Sequence, residues 1–417
     1  MSLSKIFRRD LFRTLATLVI QAVVRLGSSL AVVKILTVFL LPSQFIIYGQ
    51  IQTLMQLYSA FATSIASTKF SALIAAKETE KERDQIFDTA VFLVGSLSII
   101  LFLVTVLFRS QIEAYIAVSG RGLEITLLPF GAFAVAYCTL IQAYFTGIGS
   151  IRRFSRNSII VVLVISSSTV ILAALYGENG AMLSVGVSPI IACILIGGIE
   201  AYKKIPNIKN IQLSSALEIT GFTVSSILTL VGYYFAQLYV RSLYSQVISP
   251  HEAGLLMASS RIADVYMGVL AVFFANILTK EYAKTVHNER LKVIGRSYFL
   301  FVIFFVPGFL FLASTTSFWL PLLLSDQYFD AHGHMSMQLG ADLLKCLYWI
   351  SIYYVISRLS TGIYFFLELF GLAIYVLTAI WNPFDSVKYS PQLAQMVEYG
   401  VLLLLVNVII IYKKNND

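Results

Sequence analysis

Residues 11–40 read LFRTLATLVIQAVVRLGSSLAVVKILTVFL. As a helix rising 1.5 Å per residue, such a run more than crosses about 30 Å of hydrocarbon. It follows a basic start, is too long for a signal sequence, and lacks a small-x-small cleavage site at its end, so it reads as a retained first transmembrane helix. Arg25 falls near the middle of it. An ionisable side chain at that depth costs several kcal/mol unless it faces a cavity or a partner. Gln21, Ser28 and Ser29 recur at helical spacing on the face of Arg25, the pattern of a wetted interior stripe. An ion pair with another helix is the competing explanation.

Working outward, the chain is 58% hydrophobic and 12% charged with a mean hydropathy of +0.81, whereas soluble domains carry about 25% charge. This is the composition of an all-α polytopic membrane protein. About twelve spans are predicted, at 11–40, 45–67, 86–108, 123–147, 158–177, 181–201, 217–244, 254–279, 297–324, 336–357, 359–381 and 391–412. Most of the 30 Lys and Arg residues fall at 5–13, 69–83, 152–156, 203–209, 280–296, at Arg358 and at 413–414, whereas Arg109, Arg121, Arg241 and Lys388 fall on the other side. An even span count and the positive-inside rule then put both termini in the cytoplasm. The net charge of +8 is mostly this topology signal. Spread over short loops, it forms no surface for a phosphate backbone, so no nucleic acid is expected. Cys138, Cys193 and Cys346 lie in different spans and read as packing residues.

The spans divide into an amino-terminal six-helix bundle at 1–202, a connecting segment at 203–216 and a carboxy-terminal six-helix bundle at 217–417. The halves echo each other faintly: Pro42-Ser43-Gln44 then Tyr48-Gly49 in one, Ser249-Pro250-His251 then Ala253-Gly254 in the other, each leading to a Thr-Lys pair, Thr68-Lys69 and Thr279-Lys280. A parallel repeat of this kind fits two bundles with a substrate site between them.

No Walker sequence, metal-ligand cluster or spaced nucleophile is present, and no cofactor is expected. His332 and His334 flank a glycine near Asp330 and could hold a metal, although solvated loop histidines are the rule and no metal site is predicted. Inside the spans, Arg261 and Asp264 are three residues apart, as are Asp342 and Lys345, so each pair can close on its own helix. Arg25 and Glu368 have no such local partner. Lys34 is nine residues beyond Arg25, about 180° around a straight helix, and near enough to the outer end to snorkel. Two polar stripes follow helical spacing: Gln52, Gln56, Ser59 and Thr63, and Tyr233, Gln237, Arg241 and Tyr244. They could bond sugar hydroxyls or join helices.

The stretch from Lys34-Ile35-Leu36 through Pro42 and Tyr48-Gly49-Gln50 is similar to the first outer hairpin of Wzx-type flippases, in the multidrug/oligosaccharidyl-lipid/polysaccharide exporter superfamily. Ser259-Ser260 through Asp264-Val265-Tyr266 resembles that family's eighth helix. Leu322-Leu323-Leu324-Ser325, Phe329, Gly340-Ala341-Asp342-Leu343-Leu344-Lys345, Arg358 and Glu368 resemble its tenth and eleventh helices in order and spacing. Arg25 falls where the family tends to place a first-helix cation, while Arg261 beside Asp264 departs from its pattern.

The resemblance implies a MATE-like pair of lobes in a bacterial inner membrane. It implies movement of an undecaprenyl-diphosphate-linked oligosaccharide from the cytoplasmic to the periplasmic leaflet for O-antigen or related polysaccharide assembly, in company with membrane lipids and with the pathway's polymerase and chain-length regulator. On that reading Arg25, Lys34, Arg261, Lys345, Gln52, Gln56, Gln237 and Arg241 line a diphosphate and sugar cavity, and Glu368, Asp264 or Asp342 couples an ion. The rivals are a cation-coupled drug antiporter of the same superfamily, which Glu368 would serve, and a non-transporting scaffold or polymerase. Outer segments at 109–122 and 325–335 are too short to build a polymerase's catalytic loop.

Overall fold

The computed structural model describes residues 3–64, 68–200, 211, 223–284, 289–358, 361–381 and 390–416. Apart from Ile211, the expected connecting segment at 203–216 lies outside the described residues. Nine segments among the described residues are long and apolar enough to cross a membrane, which makes the chain a multi-pass membrane protein. The fold resolves into two compact units. One comprises Met1–Phe39 with Ile47–Phe235, the other Leu40–Ile46 with Ala236–Asp417.

Unit 1 contains α1 (Leu3–Phe39), most of α2 (Pro42–Thr63), α3 (Thr68–Ala76), α4 (Glu80–Leu107), α5 (Arg109–Tyr115), α6 (Gly122–Gly147), α7 (Ile151–Glu200) and the first half of α8 (Thr223–Val247). A capping box starts α4: the Thr79 hydroxyl accepts from the Glu82 amide at 3.3 Å, and the Glu82 carboxylate accepts from the Thr79 amide at 3.3 Å. Farther along, Ile99, Ile100, Leu103 and Leu107 form an exposed apolar stripe, the expected lipid-facing surface. The 50-residue α7 is two helices turned back at Gly177, whose φ of 57° and ψ of −132° are open to glycine. Thr169 and Ser188 bond at 3.2 Å, although 19 residues of straight helix would separate them by about 28 Å. The element therefore supplies both predicted spans at 158–177 and 181–201. Arg121 braces this corner through Glu178, Asn179 and Glu124. The α6–α7 contact is close because both sides are glycine: a Cβ on Gly131 would lie 2.9 Å from the Gly186 carbonyl oxygen.

Unit 2 holds the rest of α8, then α9 (Pro250–Lys284), α10 (Arg290–Phe304), α11 (Val306–Ser314), α12 (Thr316–Leu323), a 3-10 turn (Asp326–Tyr328), α13 (Ala331–Arg358), α14 (Thr361–Trp381) and α15 (Ser390–Asn416). The span predicted at 297–324 is three helices, broken just before Pro307 and again at Thr315; Pro321 lies inside the third. The central α13 meets α9, where the Ser259 hydroxyl donates to the Ala331 carbonyl at 3.2 Å, and α15, where Ser351 donates to Asn407 at 2.9 Å. Leu40–Ile46, the turn between α1 and α2, is built into this unit. Tyr328 and Gln327 both donate to the Leu40 carbonyl, at 2.8 and 2.9 Å, and Phe45 packs edge-on to Tyr328. Burial pushes the Tyr328 phenol well above its ordinary value, so it stays a donor. Gly254 is required here, because a Cβ would lie 1.8 Å from the Pro42 carbonyl oxygen. Pro42 and Gly254, one from each of the two echoing stretches, thus touch within this unit.

Candidate functional site

In unit 1, α1 presents Arg25 as an exposed side chain within the apolar span Val19–Phe39. Its expected stripe divides. Gln21 donates to Ser158 on α7 at 2.7 Å, so that member joins helices, while Ser28 and Ser29 are half-buried. Lys34 is half-buried farther along the same helix. On α2, Gln52 and Gln56 are half-buried, the Gln52 Oε1 lacks a donor among the described residues, and Thr63 bonds back to the Ser59 carbonyl at 2.7 Å.

The remaining expected residues belong to unit 2. Gln237 and Arg241 are buried on α8. On α9 the expected i, i+3 pair closes, Arg261 Nη1 lying 3.4 Å from Asp264 Oδ2, with the arginine buried and the aspartate open. Two residues on, Tyr266 donates to the buried Asp342 of α13 at 2.5 Å, and Gln338 donates to the other carboxylate oxygen at 3.1 Å. Gln338 also reaches Gln395 of α15 at 3.2 Å. Lys345, three residues beyond Asp342, carries its ammonium 5.5 Å from the ring centres of both Trp349 and Tyr399.

That ammonium is the hub of the site. It attracts Asp342, Glu368 and Glu398, carboxylates from three helices. Glu368 of α14 accepts from Tyr348 at 3.1 Å, and Glu398 of α15 is buried opposite Gly371, where a Cβ would approach its Oε1 to 3.3 Å and Leu402 to 2.6 Å. Three carboxylates drawn to one ammonium in a buried region are groups that protons or a bound cation can neutralise. The arrangement is therefore suited to exchanging small cations.

The structure thus gathers Asp342, Lys345 and Glu368, joins Asp264 to Arg261, and places Arg25, Lys34, Gln52 and Gln56 in the other unit. Sequence reasoning missed Glu398, although a glutamate eight residues inside an apolar span was visible, and missed the tyrosines that serve Asp342 and Glu368. It also misplaced His334. A span begun at 336 left that residue in a solvated loop, whereas α13 begins at Ala331 and His334 is fully buried. No group of three or more His, Cys, Asp or Glu among the described residues could hold a metal.

Neither a protein-family model nor a curated protein matches the sequence. Solved structures do match its fold. An inward-facing multidrug-resistance MATE transporter of the MOP superfamily superposes with a TM-score of 0.71 at 12% identity, over 94% of this chain and 99% of that one. The lipid II flippase MurJ, in an inward closed conformation, gives 0.68 at 12% identity over 95% and 87%. A MOP-superfamily transporter from Pyrococcus furiosus, described as having a binding pocket of reversed polarity, gives 0.61 at 13% over 95% of each chain. The fold is that of MOP-superfamily transporters.

Proposed function

We propose that the chain is a flippase for an undecaprenyl-diphosphate-linked oligosaccharide, moving it from the cytoplasmic to the periplasmic leaflet of a bacterial inner membrane by alternating access. The observation that carries the reading is Arg25, an exposed cation in an apolar span, since a diphosphate needs a charge-assisted partner while its sugars cross hydrocarbon. Lys34, Gln52 and Gln56, and in the other unit Gln237, Arg241, Arg261 and Lys345, are the further cargo contacts on this reading. The likeness in fold to a lipid II flippase supports it. With the cytoplasm negative, moving about two negative charges outward gains roughly 4–5 kcal/mol at about 100 mV, so no nucleotide is needed. The acidic cluster around Lys345 provides a place for ion coupling.

That cluster also favours a second reading, a cation-coupled drug antiporter, for which buried carboxylates would attract cationic cargo. The sign of the cargo separates the two. Proteoliposomes are expected to transfer an undecaprenyl-diphosphate-linked oligosaccharide between leaflets, with the rate falling about 100-fold or more in Arg25→Ala and only partly in Arg25→Lys at equal insertion. Full transfer by Arg25→Ala would make that arginine structural. Export of a cationic dye with no lipid transfer would replace the reading with the second one.

A further inference from the structure

Three helices of unit 2, α9, α13 and α15, begin at the same end, the one that the Lys and Arg distribution assigns to the outer side. Each contributes one side chain to a cluster that the acidic site does not use. His334 of α13 is fully buried. Its Nε2 lies 3.0 Å from Glu252 Oε2 of α9, and its Nδ1 lies 3.1 Å from Gln392 Nε2 of α15. Gln392 is fully buried as well, and its Oε1 has no hydrogen-bond donor among the described residues.

The donor rules fix what this geometry means. With Glu252 ionised and therefore accepting, Nε2 carries hydrogen, and the Gln392 amide nitrogen, which only donates, requires a bare Nδ1 and so a neutral imidazole. The neutral form leaves the amide oxygen buried without a donor among the described residues, which is unfavourable. Turning the amide over brings Oε1 to the ring and the nitrogen to the position that Oε1 leaves. With Glu252 ionised, the turned amide fits an imidazole with hydrogen on both nitrogens, which then holds a charge-assisted bond to each side and has Glu252 as counter-ion.

The groups around His334 among the described residues are polar, acidic or imidazole side chains. From α9 it meets Glu252, whose side chain is 23% exposed, with His251 exposed at the first turn. From α15 it meets Gln392, with Glu398 nearly two turns on. Along α13 itself come Gln338 and Asp342, one and two turns on; α11 and α12 contain no charged residue. His334, Gln338, Asp342, Lys345 and Trp349 also follow one another at i, i+4, i+8, i+11 and i+15, so the cluster is the outer end of the stripe that carries the acidic site.

We propose that His334 is a proton-binding site at the outer end of the α13–α15 joint, with Glu252 as its counter-ion and Gln392 as the amide that turns with it. The site takes a proton from the outer solution whatever the cargo is, and its test does not depend on transport.

The test is histidine NMR on the purified full-length protein labelled with 13C at the imidazole Cε1. Of the four resonances, from His251, His287, His332 and His334, the one lost in His334→Gln belongs to the site; should that variant not fold, Glu252→Gln identifies it as the resonance that moves most. The His334 resonance is expected to titrate between about pH 8 and pH 5. In Glu252→Gln it is expected to need roughly tenfold more acid, because the counter-ion is gone, and in Gln392→Leu its shift at both ends of the titration changes. A His334 resonance that stays at the neutral value throughout in the folded protein overturns the proposal, as does one whose titration is identical in all three proteins.

Discussion

The α6–α7 contact of unit 1 and the α13–α15 contact of unit 2 are both long helix pairings within a membrane, built from opposite materials. The first is glycine against glycine, so close that a methyl group at position 131 has no room. The second is a ladder of side chains in which His334 meets Gln392, Gln338 meets Gln395, Lys345 lies over Tyr399, and Ser351 meets Asn407. Between helices in lipid, close backbone approach gives dense van der Waals packing with a single best distance. Hydrogen-bonded side chains can be exchanged among partners at little cost, since their net worth in membranes averages about 0.6 kcal/mol. The glycine joint is therefore the rigid one, and the polar joint is where protonation or ion binding can change how helices hold each other.

Breaking the glycine joint has the largest expected effect on stability. Gly131→Leu drives a side chain into the Gly186 backbone and the Met55 side chain, and overpacking of this kind costs about 1–3 kcal/mol or more where backbone must move. Thermal unfolding of the purified protein is expected to show a clear drop in melting temperature and poor recovery from the membrane. Equal stability of Gly131→Leu and wild type would mean that α6 and α7 are not held by close approach.

The polar joint is expected to respond the other way. Glu398→Leu replaces a buried carboxylate by an apolar group of similar size beside Gly371 and Leu402, and it leaves Asp342 and Glu368 to balance Lys345, so no buried charge loses its last partner. Stability should hold or rise by about 1 kcal/mol, while the dependence of transport on a proton or sodium gradient falls tenfold or more. If Glu398→Leu were as destabilising as Gly131→Leu with its ion dependence intact, the joint would be structural, and the contrast between the two contacts would disappear.

Much of this was legible in the residues, and the limits were physical. Among the described residues helix coincides with the predicted spans and nine segments are long and apolar enough to cross a membrane, with the two spans flanking Gly177 in one folded-back element. Local pairing was readable too, because Arg261 and Asp264 are three residues apart on one helix. What hydropathy could not show was the division of 297–324 into three helices, since the breaks at Pro307 and Thr315 leave the segment apolar throughout. Nor could spacing reveal Tyr266 on Asp342, 76 positions away, or Glu398 beside Lys345, because those contacts exist only once α9, α13, α14 and α15 are assembled. The burial of His334 was hidden by a boundary error of a few residues at the start of α13.

The smallest expected effect lies outside both joints and calibrates them. Thr79 and Glu82 bond each other's backbone amides at the start of α4, at an exposed end of unit 1. Thr79→Ala removes one of two reciprocal caps and leaves Glu82 to bond the amide of residue 79, so the loss should be about 1 kcal/mol, as at other helix starts. Transport and its ion dependence should be unchanged, because the cap's bonds are local to its own turn. A melting-temperature drop matching that of Gly131→Leu would show that unit 1 unfolds from the end of α4 before the glycine contact is tested. The stability difference between the glycine and polar joints would then report fraying of α4, and only their difference in ion dependence would still separate them.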